Sequence, residues 1–255
     1  MATETLTFPG ATGAPLSGVL HHPEGSSAGS VLLAHCFTCS KDYHTMTRLA
    51  RGLAEAGYAV LRFDFTGLGE SGGEFVETTV STNVSDLHAA AQALLDRDDG
   101  PCALLGHSLG GAAVLLAARD LPAVRSVVVL NAPSEPRHLR RVFDGVADRI
   151  VREGEAVVEI AGRPFPIARS FLEDLERHEA GEHLPALERP LLVLHAVDDT
   201  VVDVTEGERI FALAAQPKAF VPLLDADHLL TSRAASDQAL AVIRPWLDHT
   251  LGGRA

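Results

Sequence analysis

Cysteine is scarce in this chain, with three among 255 residues. Three thiols cannot all pair, which excludes a disulfide-stapled scaffold and suits a reducing compartment. Basic residues are outnumbered, 21 Lys and Arg against 34 Asp and Glu, giving a formal charge of −13. A phosphate-backbone binder carries a basic face, so nucleic acid is not an expected partner. Long apolar runs are also missing. None approaches the ~20 residues of a membrane span, and His107 and Ser108 interrupt the best candidate. The opening Met1-Ala2-Thr3-Glu4 has no basic segment followed by an apolar stretch, so no secretory signal is read. Neither an internal repeat nor a low-complexity segment is seen. The expectation is a cytoplasmic protein without membrane association.

What is present is apolar content of 46%, enough for a sizeable core in one large domain. Leu6 to Pro9 and Leu16 to His21, with a turn and no helix between them, predict an antiparallel edge pair. From about Ser30, short β-type runs alternate with helical patterns, which predicts a mostly parallel sheet flanked by helices. The strands expected are Val31 to Ala34, Tyr58 to Phe65, Ala103 to Leu105, Val127 to Leu130, Leu191 to Leu194 and Ala219 to Leu224. Gly57 is placed to end a helix carrying Met46, Leu49, Ala50 and Leu53. A last helix is expected from about Ala234 to Leu247.

The connection from Ala132 to Pro190 is too long for an ordinary crossover. Val142, Val146 and Ile150 recur there at helical spacing. Val157 to Ile160 predicts a hairpin strand turning at Ala161-Gly162-Arg163, and a helix is expected around Ile167 to Arg177. Residues 134–185 therefore read as a cap inserted into a core made of residues 1–133 and 186–255.

Gly106-His107-Ser108-Leu109-Gly110 directly follows the apolar run Cys102 to Leu105 and precedes a helical run, Ala112 to Arg119. A strand–turn–helix context makes this G-x-S-x-G pattern chemical: the serine hydroxyl is exposed at a strained turn, and a Cβ on either glycine would crowd it. A serine is a weak nucleophile, so a base and a carboxylate should follow. Asp198-Asp199 and Asp227-His228 lie after later strands, where reactive loops of open parallel sheets cluster. The order Ser, Asp, His is that of an α/β-hydrolase. Ser108, Asp199 and His228 are the expected triad, with Asp199 preferred over Asp198 by its spacing from His195 and the valine pair after it; His249 is a weaker alternative base. The N–H groups of Leu109 and of Phe37, in the loop after the first parallel strand, are the expected oxyanion donors. Phe37, Val142, Phe143, Val146, Phe165 and Phe171 are candidates for an apolar acyl pocket.

Other residues read more plainly. Cys36 and Cys39 form a C-x-x-C that suits a redox pair or half a metal site. Without a second cysteine pair no metal site is expected, and two small residues lining the oxyanion loop is the preferred reading. Asp64 and Ser71 are read as loop-fixing, and Arg137, Arg140 and Arg141 as a solvated face rather than a carboxylate site.

Four runs carry a family resemblance: His35 to Asp42, Arg62 to Ser71, Gly106 to Ala113 and Asp225 to Leu230. From about Leu6 to Trp246 the chain resembles the serine α/β-hydrolase domain that many bacteria join to an OsmC-like domain. The resemblance implies the α/β-hydrolase fold and an esterase with Ser108, Asp199 and His228 as triad and no cofactor. The chain ends at Ala255, so the OsmC-like peroxide-reducing activity is not carried over. Cys36, where most of the superfamily has glycine, is shared by this group. The expected activity is cleavage of a small-molecule carboxylic ester through an acyl-enzyme. Thioesterase, lactonase, peptidase and carbon–carbon hydrolase remain open with the same triad. A reading of another class is a non-catalytic binding or redox-partner module serving an OsmC-like protein. A homo-oligomer is also left open.

Overall fold

The structure, a computed structural model, describes residues 2–10, 12–97, 100–179, 182 and 184–252. Residues 1 and 253–255 of the expected core, with 98 and 99, and 180, 181 and 183 of the expected cap, lie outside them, as does Ala11.

Eight strands form one sheet. They are β1 (Thr3–Pro9), β2 (Pro15–His21), β3 (Ser30–Ala34), β4 (Ala59–Phe63), β5 (Cys102–His107), β6 (Val124–Leu130), β9 (Leu191–Ala196) and β10 (Lys218–Leu223), in the order β1-β2-β4-β3-β5-β6-β9-β10. β1 pairs antiparallel with β2, and β2 with β4; every other pairing is parallel. The edge pair is where the turn without a helix placed it.

The central strands β3, β4 and β5 are buried along their whole length. That explains their continuous apolar reading, because side chains on both faces must be covered. Alternation divides them between two cores. Val31, Leu33, Val60 and Leu105 face the helices α1 (His44–Glu55) and α7 (Arg233–Leu251), meeting Met46, Leu49, Leu53, Ile243 and Leu247. Leu32, Leu61, Leu104 and Val127 face α2 (Val80–Leu95) and α3 (Leu109–Ala117), meeting Leu87, Leu94 and Ala113. Gly57, at φ 101°, follows the end of α1 as expected. α2 starts in a capping box, in which Thr79 and Thr82 satisfy each other's backbone N–H. A short helix α6 (Val204–Leu213), capped by Asp203, follows β9.

Between β6 and β9 lie a 3₁₀ segment (Pro136–Phe143), α4 (Ala147–Glu153), the hairpin β7 (Glu155–Ile160) and β8 (Arg163–Ala168), and α5 (Arg169–Leu175). The hairpin turns at Ala161 and Gly162, both at positive φ, as a two-residue turn requires. Two expectations differ. The continuous helix through Val142, Val146 and Ile150 is broken, because Gly145 at φ 87° separates the 3₁₀ turn from α4. The helix expected from Ile167 begins at Arg169, because Ile167 is paired with Ala156 in the hairpin.

Candidate active site

The site is assembled from strand ends. β5 stops at His107, and the chain turns through Ser108 straight into α3. Ser108 holds φ 54° and ψ −124°, a backbone that a residue other than glycine adopts only where its surroundings impose it. The glycines allow that turn to close. A Cβ on Gly106 would overlap the Gly110 carbonyl, and one on Gly110 would overlap the carbonyls of Ala34 and His35. The start of α3 is thereby pressed against the loop leaving β3.

His228, in the loop after β10, reaches both partners. Its Nδ1 donates to Asp199 Oδ2 at 2.7 Å, and its Nε2 lies 3.0 Å from Ser108 Oγ. An ionised carboxylate only accepts, so Nδ1 carries the proton and Nε2 is left to accept from the serine hydroxyl. Asp199 Oδ1 accepts the Val201 and Val202 N–H groups at 2.8 and 3.0 Å. Burial alone would raise the Asp199 carboxyl. The hydrogen bond and charge of His228, with those two amides, outweigh it and hold the group below the usual carboxylate range. The rivals are elsewhere: Asp198 is exposed, and His249 is exposed on α7.

A buried set of polar residues backs this arrangement. Asn131 Nδ2 donates to the His228 carbonyl at 2.8 Å, while its Oδ1 accepts the Ala196 N–H at 2.8 Å. It thus ties the end of β9 to the histidine loop from φ 47°, a conformation asparagine tolerates better than most residues. His107 Nε2 donates to the same His228 carbonyl at 2.7 Å. Burial, then the neighbouring His228, pushes His107 down to about 3, so it is neutral. Sequence reasoning missed Asn131 as a site residue. Its partner is 97 positions away, and the only local signal is a lone asparagine ending an apolar run.

The loop carrying Phe37 is shaped from several sides. His35 donates through Nδ1 to the Cys36 carbonyl at 2.8 Å and accepts the Phe65 N–H at 3.3 Å, which ties this loop to the end of β4. Thr38 sits at φ 59°, and its carbonyl accepts from Arg163 on the hairpin. Here one expectation is corrected: Cys36 and Cys39 are joined as a disulfide. The turn at Thr38 brings their Cα atoms to 5.3 Å, within the span of a bridge. Asp64 and Ser71 fix the loops, as expected. Asp64 accepts from the Lys41 N–H at 2.6 Å and from Lys41 Nζ at 2.7 Å, and Ser71 Oγ donates to the Asp64 carbonyl at 2.6 Å.

Ser108 and His228 open onto a cleft of about 460 Å³, walled by Phe37, Tyr43, Leu139, Val142, Ile160 and Leu229, with Arg163 adding a cation. Of the acyl-pocket candidates, Phe37 and Val142 line this cleft. Phe143, Phe165, Phe171 and Val146 do not line this cleft. Phe171 stacks on Phe37 at 5.3 Å between ring centroids, Phe143 meets it edge-on at 6.3 Å, and Phe165 packs on Phe75 at 5.0 Å. Phe143, Phe165 and Phe171 belong to the core that covers one face of the sheet with α2 and α3, and Phe37, Phe75 and Val146 pack against it. Arg137 pairs with Glu135, Arg140 lies 3.4 Å from Glu176 and Arg141 is exposed, so the three form a solvated face. Among the described residues no group of three or more His, Cys, Asp or Glu is placed to hold a metal ion, and no helix is long and apolar enough to cross a membrane.

Residues 25–170 match the family model for the serine aminopeptidases S33. The esterase domain of a Rhodothermus marinus protein is 38% identical, over 99% of this chain and 100% of that one, and superposes with a TM-score of 0.81. The monoacylglycerol lipase of Mycolicibacterium smegmatis is 27% identical, over 95% of this chain and 89% of the lipase. An uncharacterised protein of Mycobacterium tuberculosis is 29% identical, over 90% and 73% of the two chains. With the family model spanning more than half its length and the esterase domain matching end to end, the chain belongs to the serine aminopeptidase S33 family of the α/β-hydrolase superfamily.

Proposed function

We propose that the protein is a serine hydrolase that cleaves carboxylic esters through an acyl-enzyme on Ser108. One observation carries the reading: the chain of contacts from Ser108 through His228 to Asp199, at 3.0 and 2.7 Å, opening onto a mainly apolar cleft. Ser108 Oγ attacks the ester carbonyl carbon while His228 Nε2 takes its proton. Asp199 keeps the imidazole in the required tautomer and stabilises the imidazolium. The N–H groups of Leu109 and Phe37 meet the oxyanion, each such donor being worth ~10²–10³ in rate. Collapse of the intermediate expels the alcohol, which takes the proton back from His228. Water, deprotonated by His228, then attacks acyl-Ser108 and releases the acid. The cycle calls on no cofactor.

The end-to-end match to an esterase domain supports an ester substrate, as does a lipase among the relatives. The family name points to a peptidase, but the cleft argues against one. Holding a protonated amino terminus calls for a carboxylate, and no described residue lining the cleft is acidic, while Arg163 is cationic. Residues 134–185 serve as the cap that walls this cleft. A functional link to an OsmC-like protein rests on the resemblance carried by the four runs His35 to Asp42, Arg62 to Ser71, Gly106 to Ala113 and Asp225 to Leu230 alone.

A p-nitrophenyl ester series, run beside matched thioesters, lactones and aminoacyl amides, tests the reading. Ser108→Ala is expected to lower kcat on the preferred ester by at least about 10⁴. Retention of most activity, or a preference for aminoacyl amides, overturns it.

A further inference from the structure

The Cys36–Cys39 bridge takes no part in the relay of protons, yet it stands in the wall of the same cleft. Both cysteines line it together with Ser108 and His228. The two residues they enclose are Phe37, the proposed oxyanion donor, and Thr38, held at φ 59°. A ring closed across so few residues removes little entropy from the unfolded chain, so the bridge is a poor staple for the fold. The sheet does not depend on it either, since the central strands are already buried on both faces. What it constrains is local: the direction of the Phe37 N–H.

We propose that Cys36–Cys39 is a thiol–disulfide exchange site, open to dithiols and their cyclic disulfides, and that its state sets the rate of acyl transfer at Ser108. The rate control rests on the serine-hydrolase reading; the exchange does not. Cys36 is 5% exposed and Cys39 is half-buried, so an incoming thiolate meets Cys39. It attacks Cys39 Sγ, the bond to Cys36 breaks, and the electron pair leaves on Cys36 Sγ, which takes up a proton. The second thiol of the reductant attacks the mixed disulfide, Cys39 leaves as its thiol, and the reductant departs as a cyclic disulfide. Two electrons and two protons have then passed to the pair, and the reverse sequence restores the bridge.

With the bridge open, Thr38 loses the covalent constraint that keeps a β-branched residue at positive φ. The remaining holds are non-covalent: His35 on the Cys36 carbonyl, Arg163 on the Thr38 carbonyl, the Cys39 N–H on the Cys36 carbonyl at 3.2 Å and the packing of the Phe37 ring. None fixes the Phe37–Thr38 peptide as the bridge does, so the turn can relax. The Phe37 N–H then turns away from the oxyanion. Because removing such a donor outright costs ~10²–10³, loosening it should lower kcat by at least about tenfold, with KM little changed.

The test equilibrates the whole protein in dithiothreitol buffers of graded oxidised-to-reduced ratio. Titratable thiols after acid quench and denaturation, and kcat on the preferred ester, are read from the same samples. The thiol count should move between one and three, and kcat should fall across the same transition. Cys39→Ser should show the reduced rate at every ratio, the reduced wild-type protein giving the same comparison without a substitution. Cys102→Ala, altering a residue buried in β5, should keep the full response. A thiol count fixed at one or at three across every ratio overturns the exchange site, and a two-thiol transition with kcat unchanged overturns the rate control. Absence of ester hydrolysis at every ratio overturns the hydrolase reading and the rate control together, whereas a moving thiol count still supports the exchange site.

Discussion

Asp198 and Asp199 are neighbours in sequence and opposites in surroundings. Asp198 is exposed, whereas Asp199 is buried, accepts two backbone N–H groups and receives the His228 Nδ1 proton. Asp199→Asn removes the anion that sets the tautomer and is predicted to lower kcat by about 10⁴, while Asp198→Asn leaves it unchanged. Steady-state kinetics on a p-nitrophenyl ester check this, and equal losses would refute the assignment. Asn131 is predicted to matter differently. Asn131→Ala orphans the Ala196 N–H and takes one of the two holds off the His228 carbonyl. It should cost ~1–3 kcal/mol of stability in urea denaturation and also lower kcat. A variant as stable and as active as the wild type would show that Asn131 does not position the histidine loop.

The segment between β6 and β9 sends aromatic side chains into the core on one face of the sheet and leaves other side chains at the cleft. Phe143 is fully buried against Phe37 and Phe171, away from the cleft, whereas Val142 beside it is exposed and lines the cleft. Phe143→Ala is therefore predicted to cost ~3–5 kcal/mol of stability with little change in KM. Val142→Ala should do the reverse, and a KM shift confined to Phe143→Ala would contradict the placement. The central strands were legible because burial on both faces leaves an unbroken apolar run, as in Val31 to Ala34 and Cys102 to Leu105. Ser108 and Asp199 were legible for a related reason, since each follows such a buried run closely, whereas His228 follows the half-buried edge strand β10 and was read from the Ser, Asp, His order. The break at Gly145 in the helix expected through Val142, Val146 and Ile150 was not legible, because apolar spacing cannot register a glycine at positive φ. Nor does hydrophobicity say whether a phenylalanine faces a cleft or the core behind it. Arg163 and Ile160 reach the cleft only because the hairpin folds over the loop after β3, which itself carries Tyr43.

Folding buries several histidines as neutral rings. His107 is pushed down to about 3, by burial and then by His228, and His21 to about 4, by burial and then by Arg62. Burial lowers His35 and His195 as well. Once unfolded, these rings take up protons below their ordinary value of 6.5, while in the fold they resist until much lower pH. Their contribution is thus complete above about pH 6.5 and lost as pH falls toward the folded values. Glu206, held at about 2 by His138 and Ser134, adds a second loss below its ordinary 4.5. Urea midpoints measured downward from neutral pH should decline below pH 6.5 and more steeply below 4.5. A profile flat from pH 7 to 4 would show that the histidines are not buried neutral.

All of these features surround one chemical claim, that Ser108 is an activated nucleophile. Reaction with a fluorophosphonate, followed by intact mass measurement and peptide mapping, addresses that claim most directly. The predicted result is a single phosphonyl group per chain, mapped to Ser108 in the Gly106–Gly110 turn and absent from Ser108→Ala. An unmodified Ser108, or the same labelling in Ser108→Ala, would contradict it.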